Sequence, residues 1–306
     1  MDRFQEMQVF MAVAEEEGFA AAARRLRISP PSVTRAIAAM EERIGTQLLS
    51  RTTRNVYLTE AGQRYLEDCR RILSELDEAE EAAAGSYSIP CGYLTVTAPV
   101  LFGELYIAPL LTDYLDQFPS VHLNALLVDR VVNIADEGID VAIRIGHLQE
   151  NNQHVIKVGE VRQVICGAPA YFQRHGRPTH PGELSKANIV MSSASHLLSH
   201  WQFMDEANSL SLRFDPRLVV TANQAAINIA CQGWGVTRVL SYQVARQVAD
   251  GELEVVLKAF EPPALPIHVV YQKSNRVPAK VRTFVDFLAD RLGDDVTLKP
   301  VVKGIA

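Results

Sequence analysis

"FAAAARRLRISPPSVTRAIAAMEERIG", residues 19–45, is the stretch on which the fold turns. Phe19, Ala22, Ala23 and Leu26 share one helical face, and Val33, Ile37, Met40 and Ile44 share another, at spacings of three and four. Only "RIS" separates the two, which is helix-turn-helix spacing. Ser29 is placed to cap the second helix. Pro30 and Pro31 fit its first turn, where the N–H groups have no intrahelical partner, and Gly45 ends it. Hydroxyls and one arginine lie off the apolar stripe in the first turns, a surface that a plain core helix does not need.

Working outward, Phe4, Met7, Met11 and Ala14 form an apolar stripe on a preceding helix, with Gly18 at the expected C-cap. Downstream, "QLLSRTTRNVYLT" contains two β-type segments, Gln47 to Ser50 and Val56 to Thr59, flanking a basic tip with Arg51 and Arg54. The outline is a winged helix-turn-helix. A long helical stretch follows to about residue 84. In it Tyr65, Cys69, Ile72, Leu76, Ala79 and Ala83 make a seam of period 3.5, flanked by Leu66 and Leu73. Two readings of that seam stand: a coiled-coil dimer contact, which the length of the strip favours, and an intrachain helix packed on a neighbour.

Beyond Gly92 the texture changes. The β-type runs "YLTVTA", "VHLNALLV", "DVAIRI", "RQVICGA", "RLVVT" and "LPIHVVY" alternate with helical stretches at 102–117, 131–137, 223–232, 242–249 and 278–291. Such alternation predicts parallel α/β sheets, and some 215 residues are generous for one, so two subdomains with a cleft between them are expected.

Composition agrees with a globular chain, since 48% of the residues are hydrophobic and 22% charged. No apolar run is long enough to span a bilayer, and "MDRFQEMQVF" lacks the apolar core of a signal peptide, so a cytoplasmic location and no membrane partner are expected. Cys69, Cys91, Cys166 and Cys231 form no CxxC pair and read as buried reduced thiols. Eight arginines balance eight acids in residues 1–60, so the whole net charge of −6 falls on the remainder. No lysine precedes Lys157, and arginine suits bidentate phosphate and base contacts.

The stretch "FAAAARRLRISPPSVTRAIAAMEERIGTQLLSRTTRNVYLTEAG" resembles the winged helix-turn-helix signature of LysR-type transcriptional regulators. The resemblance continues through "GYLTVTAPVLFGELYIAPLL", "DEGIDVAIRIG" and "CQGWGVTRVLSYQVA", and the second half is most similar to the CrgA-like branch. It implies a homodimeric or homotetrameric regulator that binds double-stranded DNA and carries an effector domain like a periplasmic binding protein. The implied organisation is a DNA-binding domain at 1–59, a linker helix and hinge at 60–90, and an effector domain at 91–306. Within the last, 91–161 with 267–306 would form one subdomain and 163–266 the other. Family members often carry glutamine at the start of the recognition helix, where this chain has Pro30.

For DNA, the first turns of the third helix would enter the major groove, presenting Pro30, Pro31, Ser32, Thr34 and Arg35, while Arg51, Thr52, Thr53 and Arg54 at the wing would touch backbone or minor groove. Arg24, Arg25 and Arg27 are weaker candidates. For a small-molecule effector, ligands in α/β sheets sit beyond strand ends, where helix N-termini offer N–H donors. Thr97, the backbone of Val100, Leu101 and Phe102, Arg144, Gly146 and Asn223 meet that description and would suit a small anion, most simply a carboxylate. Phe102 and Leu198 would add apolar wall. No GxSxG, P-loop, HExxH or GxGxxG is present, so neither an enzyme nor a cofactor is expected. His196 and His200 stand at i, i+4 without an evident third metal ligand. The competing reading is a small-molecule binding protein whose helix-turn-helix serves only protein interaction.

Overall fold

The computed structural model describes residues 1–51, 56–83, 89–148, 153–193, 200–206, 208–274 and 277–299, with backbone only for 51, 75 and 77–83. The chain divides into two units, Met1–Tyr93 and Leu94–Ala306.

The first unit contains α1 (Arg3–Glu15), α2 (Phe19–Leu26), α3 (Pro30–Ile44), β1 (Leu49–Arg51), β2 (Val56–Leu58) and α4 (Glu60–Ala83), with β1 and β2 antiparallel. α3 starts as its sequence dictates: the Ser29 hydroxyl accepts the Ser32 N–H at 3.3 Å, the prolines fill the first positions, and Gly45 takes φ 80° at the end. Val33, Ile37 and Met40 have no solvent exposure. Ile44, expected on the same face, is the last residue of the helix and is 36% exposed.

Of the stripe expected on α1, Met7, Met11 and Ala14 pack partly buried against the core, but its centre lies on a neighbouring face. Phe4 is exposed, whereas Val9, Phe10 and Val13 are buried together with Glu6. That carboxylate is tolerated inside because Arg43 of α3 donates to it at 2.6 Å. Gly18 does not terminate α1. Glu17 takes the left-handed conformation at φ 49°, and Gly18 is the N-cap of α2.

α4 has more of its own domain to pack on than the seam suggested. Leu66 and Cys69 are buried in that domain's core, Leu73 is buried further along, and the Tyr65 ring lies 5.6 Å from Phe10. The first turns of the seam are thus an intrachain contact. Ile72 and Leu76 further along are half-buried.

The second unit holds two five-stranded sheets. Its elements are β3 (Gly92–Ala98), α5 (Val100–Phe102) running through a π-turn (Gly103–Ile107) into α6 (Ala108–Gln117), β4 (Val121–Leu127), β5 (Val141–Ile145), β6 (Gln153–Val161) and β7 (Gln163–Gly167). Then follow α7 (Pro169–His175), β8 (Ile189–Ser192), β9 (His200–Asp205), β10 (Asn208–Arg213), β11 (Leu218–Val220), α8 (Asn223–Cys231) and β12 (Val236–Leu240). The chain closes with α9 (Ala245–Ala249), β13 (Glu254–Val256), β14 (Leu265–Gln272) and α10 (Ala279–Asp294).

One sheet runs β4-β3-β5-β14-β6 and the other β11-β8-β12-β7-β13, while β9 and β10 form a separate antiparallel pair. The sheets are mixed rather than parallel. β14 runs antiparallel to both β5 and β6, and β7 antiparallel to both β12 and β13. The reason lies in the crossovers. β6 passes to β7 through Arg162 alone, and the chain returns after Phe260 as β14, which already pairs with Val161 from Leu265 onward, ahead of the expected change at 267. The Arg162 guanidinium donates to both Glu261 carboxylate oxygens, at 2.8 and 3.0 Å, tying the two crossover segments together.

The helix expected at 131–137 is absent. There the Asn133 side chain accepts the Ala135 N–H, and Glu137 accepts the Asn133 N–H, so local side-chain bonds hold turns instead of a helix ladder. None of the four cysteines is in a disulfide; Cys69 and Cys166 are buried, whereas Cys91 and Cys231 are partly exposed. Burial pushes the Cys69 thiol up to about 11 and the Cys166 thiol to about 12.

Gly62 is where α4 meets the wing. A β-carbon there would lie 2.0 Å from the Leu48 carbonyl oxygen, a backbone atom that cannot rotate away. Gly62→Ala is therefore expected to destabilise the N-terminal unit by about 1–3 kcal/mol despite alanine's better helix propensity. Urea unfolding followed by helical circular dichroism measures it, and a stability equal to wild type overturns the argument.

Candidate functional site

Two surfaces hold the residues singled out from sequence. On the first unit, Pro30, Pro31, Thr34 and Arg35 are exposed and Ser32 is half-buried, so the polar first turns of α3 lie outside its buried stripe. Thr34 donates its hydroxyl back to the Pro30 carbonyl at 3.2 Å, and Arg35 donates to the Pro31 carbonyl at 3.4 Å. The Arg35 guanidinium makes no ion pair among the described residues. Arg24 and Arg27 are exposed too, but Arg25 donates to Glu15 at 2.7 Å and reaches Glu16. Of the weaker candidates, Arg25 is thus bound to acids of its own domain.

The wing is anchored from beneath. Glu41 of α3 accepts the N–H groups of Leu48 and Leu49 at 2.8 and 3.0 Å, and the Thr59 hydroxyl donates to the Gln47 carbonyl while accepting the Gly62 N–H. Arg51 ends β1. Its side chain, and Thr52, Thr53 and Arg54, lie outside the described residues.

On the second unit, both sheets contribute to a cavity of about 280 Å³. Thr97, Arg144 and Asn223 line it, as expected from their places at strand and helix ends. The other candidates are placed differently. Phe102 is fully buried, with its ring 4.8 Å from Tyr106 and 5.3 Å from Tyr242, and Leu101 is also buried, so both are core rather than wall. Gly146 donates its N–H to the Pro266 carbonyl. Leu198 and His196 lie outside the described residues.

The anion-binding capacity expected around Thr97 is largely satisfied from within. The Val100 N–H donates to the Asp129 carboxylate at 3.1 Å, and the Thr97 hydroxyl donates to the Leu126 carbonyl at 2.7 Å. Arg144 donates to the Val132 carbonyl, and burial lowers its pKa. Arg130, on the same wall, forms a bidentate pair with Glu137, whose carboxyl that contact holds down to about 2.

The opposite wall carries what sequence reasoning missed. Arg238 of β12, Gln163, Tyr242 and Gln243 line the cavity beside Asn223. Arg238 Nη1 is shielded from solvent without a hydrogen-bond partner among the described residues, and the guanidinium lies over the Trp201 ring at 5.2 Å. Desolvation lowers its pKa to about 10, so it remains charged at neutral pH. An arginine inside the β-branched run "VTRVL" was the available signal, because a charge in a buried strand needs a reason.

Comparisons with known proteins cover both units. The family described as bacterial regulatory helix-turn-helix protein, lysR family, matches residues 4–63, and the LysR substrate binding domain matches residues 89–293. An HTH-type transcriptional regulator of Xanthomonas campestris pv. campestris (strain 8004) is 33% identical over 293 residues, covering 94% of this chain and 85% of that protein. The solved structure of CrgA, a LysR-type regulator from Neisseria meningitidis, matches with a TM-score of 0.61 at 27% identity, covering 95% of this chain and 99% of that one. Full-length AphB, the virulence activator of Vibrio cholerae, shares the fold with a TM-score of 0.62 at 23% identity, covering 94% and 99%.

Thr97 is 4% exposed, and its hydroxyl bridges to the strand beside it. Thr97→Val keeps the shape and removes that donor, so the C-terminal unit should lose about 1 kcal/mol. Thermal unfolding of the full chain reads the change. An unaltered transition means the bond contributes nothing.

Proposed function

The chain belongs to the LysR family of bacterial helix-turn-helix regulators, and from that premise we propose that it is a sequence-specific, ligand-responsive regulator of transcription. Membership makes it a transcriptional regulator with an effector-binding domain rather than an enzyme. The observation that carries the finer reading is the division of α3. Val33, Ile37 and Met40 of its apolar stripe are fully buried while Pro30, Pro31, Thr34 and Arg35 are exposed on the first turns. An α-helix anchored along one side, with short polar side chains and a guanidinium without an ion pair among the described residues at its start, fits a major groove. In this reading Ser32 joins those residues at the bases or phosphates, and Arg51, Thr52, Thr53 and Arg54 follow the adjacent backbone.

The domains are read as 1–59 for DNA, 60–90 for the linker and 91–306 for the effector, with the subdomains built on the two sheets. The effector is a small organic anion held in the cavity between the sheets, where Thr97, Arg144 and Asn223 meet. Its binding changes the angle between subdomains to the extent that it prefers one arrangement over the other. The active form is a homodimer or homotetramer working in the cytoplasm, assembled through the later turns of α4. Among the described residues no helix is long and apolar enough to cross a membrane, which is consistent with that setting.

Arg35→Ala should weaken binding to the specific duplex by about 1–3 kcal/mol and relax the preference at one base pair, whereas Arg25→Ala should change little. Footprinting of the chain's own upstream DNA followed by salt-dependent binding curves tests this. A wild-type protein that footprints nowhere points to an interaction module instead, and equal losses for the two variants remove the special role of Arg35.

Leu76→Glu should break assembly, because two carboxylates would face each other across the α4 seam. Sedimentation then shows smaller species and DNA affinity drops as paired half-sites are lost. A variant that stays assembled returns α4 to a purely intrachain role.

A further inference from the structure

The effector cavity is electrostatically lopsided. On the wall built from the first sheet, the donors that a helix N-terminus and a threonine would offer an anion already have partners, Val100 with Asp129 and Thr97 with Leu126. Asp129 itself stands at that wall, so an incoming anion meets a carboxylate there. On the wall built from the second sheet, the situation is reversed. The N-cap of α8 is Ala222, which has no side chain to satisfy the helix's first N–H groups, and Asn223 behind it lines the cavity. Arg238 lines the same wall with Nη1 buried and unpartnered among the described residues.

A buried guanidinium nitrogen without an acceptor is costly to keep, and Arg238 is fixed in place from one side by the face of Trp201. An ionised carboxylate in the cavity offers an acceptor to the guanidinium that lines it and negative charge at a helix N-terminus. Charge on the cavity wall limits how much more the ligand carries. Arg130 is neutralised by Glu137, and Asp129 offsets one of the two remaining arginines, Arg144 and Arg238, which leaves a single positive charge. Size limits the ligand further, because about 280 Å³ is near the lower end of the roughly 300–1,000 Å³ range of ligand pockets.

We propose that Arg238, with the N-terminus of α8, anchors the carboxylate of a small monocarboxylate effector, and that Asp129 on the facing wall selects against dianions. This rests on the effector-binding reading above and names the residue and the charge class within it. The sheet carrying β12, rather than the strand ending at Thr97, is then where the ligand's charge is held. Asp129, which accepts from Val100 at the start of α5, stands across the cavity from that charge.

The test is a thermal-shift and calorimetric screen of the full-length protein against acetate, butyrate, benzoate and 4-hydroxybenzoate, with their primary amides, succinate and inorganic phosphate as comparators. A monocarboxylate should bind where its amide does not, and Arg238→Gln should weaken it at least about thirty-fold, the loss expected on removing one partner of a buried charge pair. Asp129→Asn should tighten monocarboxylates and admit succinate or phosphate. Without ligand, Arg238→Gln should unfold no lower than wild type, since it removes a buried unpaired charge. A lower transition instead assigns Arg238 to packing on Trp201 and overturns the proposal. Equal binding by wild type and Arg238→Gln also overturns it while leaving the effector reading intact. Preference of wild type for succinate or phosphate overturns the charge assignment. If nothing in the screen binds wild type, the effector reading falls, and the proposal with it.

Discussion

Burial of one side of α3 is the constraint on which the N-terminal unit depends. Val33, Ile37 and Met40 are completely enclosed, and each removes enough apolar surface from water to contribute on the order of 1.5–3 kcal/mol. A helix fixed along one stripe cannot rotate, so its remaining faces are assigned as well. Everything around it serves that placement. Arg43 at its far end reaches back to the buried Glu6, and Glu41 holds the first residues of the wing by two backbone N–H groups. Gly62 lets α4 press against the Leu48 carbonyl. The exposed first turns of α3 and the start of the wing are therefore positioned by one connected set of contacts.

The C-terminal unit is organised by a different constraint, the cost of keeping charge out of water. Most of its buried or half-buried polar groups have partners close at hand. Arg162 and Glu261 join the crossovers, and Arg130 and Glu137 lock the turn that replaces an expected helix. Lys280 is buried and also has an interaction of its own. Against that background Thr237 Oγ1, His268 Nδ1 and Arg238 Nη1 are buried without a partner among the described residues, and of the three only Arg238 lines the cavity. Proteins retain such unsatisfied groups where a ligand or a bound water completes them.

The two units use arginine for different work. At the start of α3 the guanidinium of Arg35 is exposed and without an ion pair among the described residues, as suits a partner that brings its own phosphates. In the cavity the guanidinium is desolvated and held by an aromatic face, which suits selection of one small anion over others. A hydrated group adds modest affinity to many sequences, whereas a desolvated one discriminates sharply, since leaving it unpaired is expensive.

Much of this was legible in the residues themselves. The helix-turn-helix, its capping by Ser29 and Gly45, the wing strands, most strands and helices of the second unit and the family resemblance rest on short-range signals: periodicity, caps and turn residues. Local signals failed where a distant partner decided the outcome. Glu6 is buried because Arg43 finds it, the front of the α4 seam is taken up by α1, and the crossovers at Arg162 and Phe260 turn an expected parallel sheet into a mixed one. The candidate site divides in the same way. Thr97, Arg144 and Asn223 were found because strand and helix ends are visible in sequence. That the donors near Thr97 are already engaged by Asp129 and Leu126, and that the unpartnered cation is Arg238, depends on side chains some thirty to a hundred and forty positions apart meeting in space. Sequence specifies which groups are present and their local conformation. Which of them still lacks a partner is decided only when the chain has closed on itself.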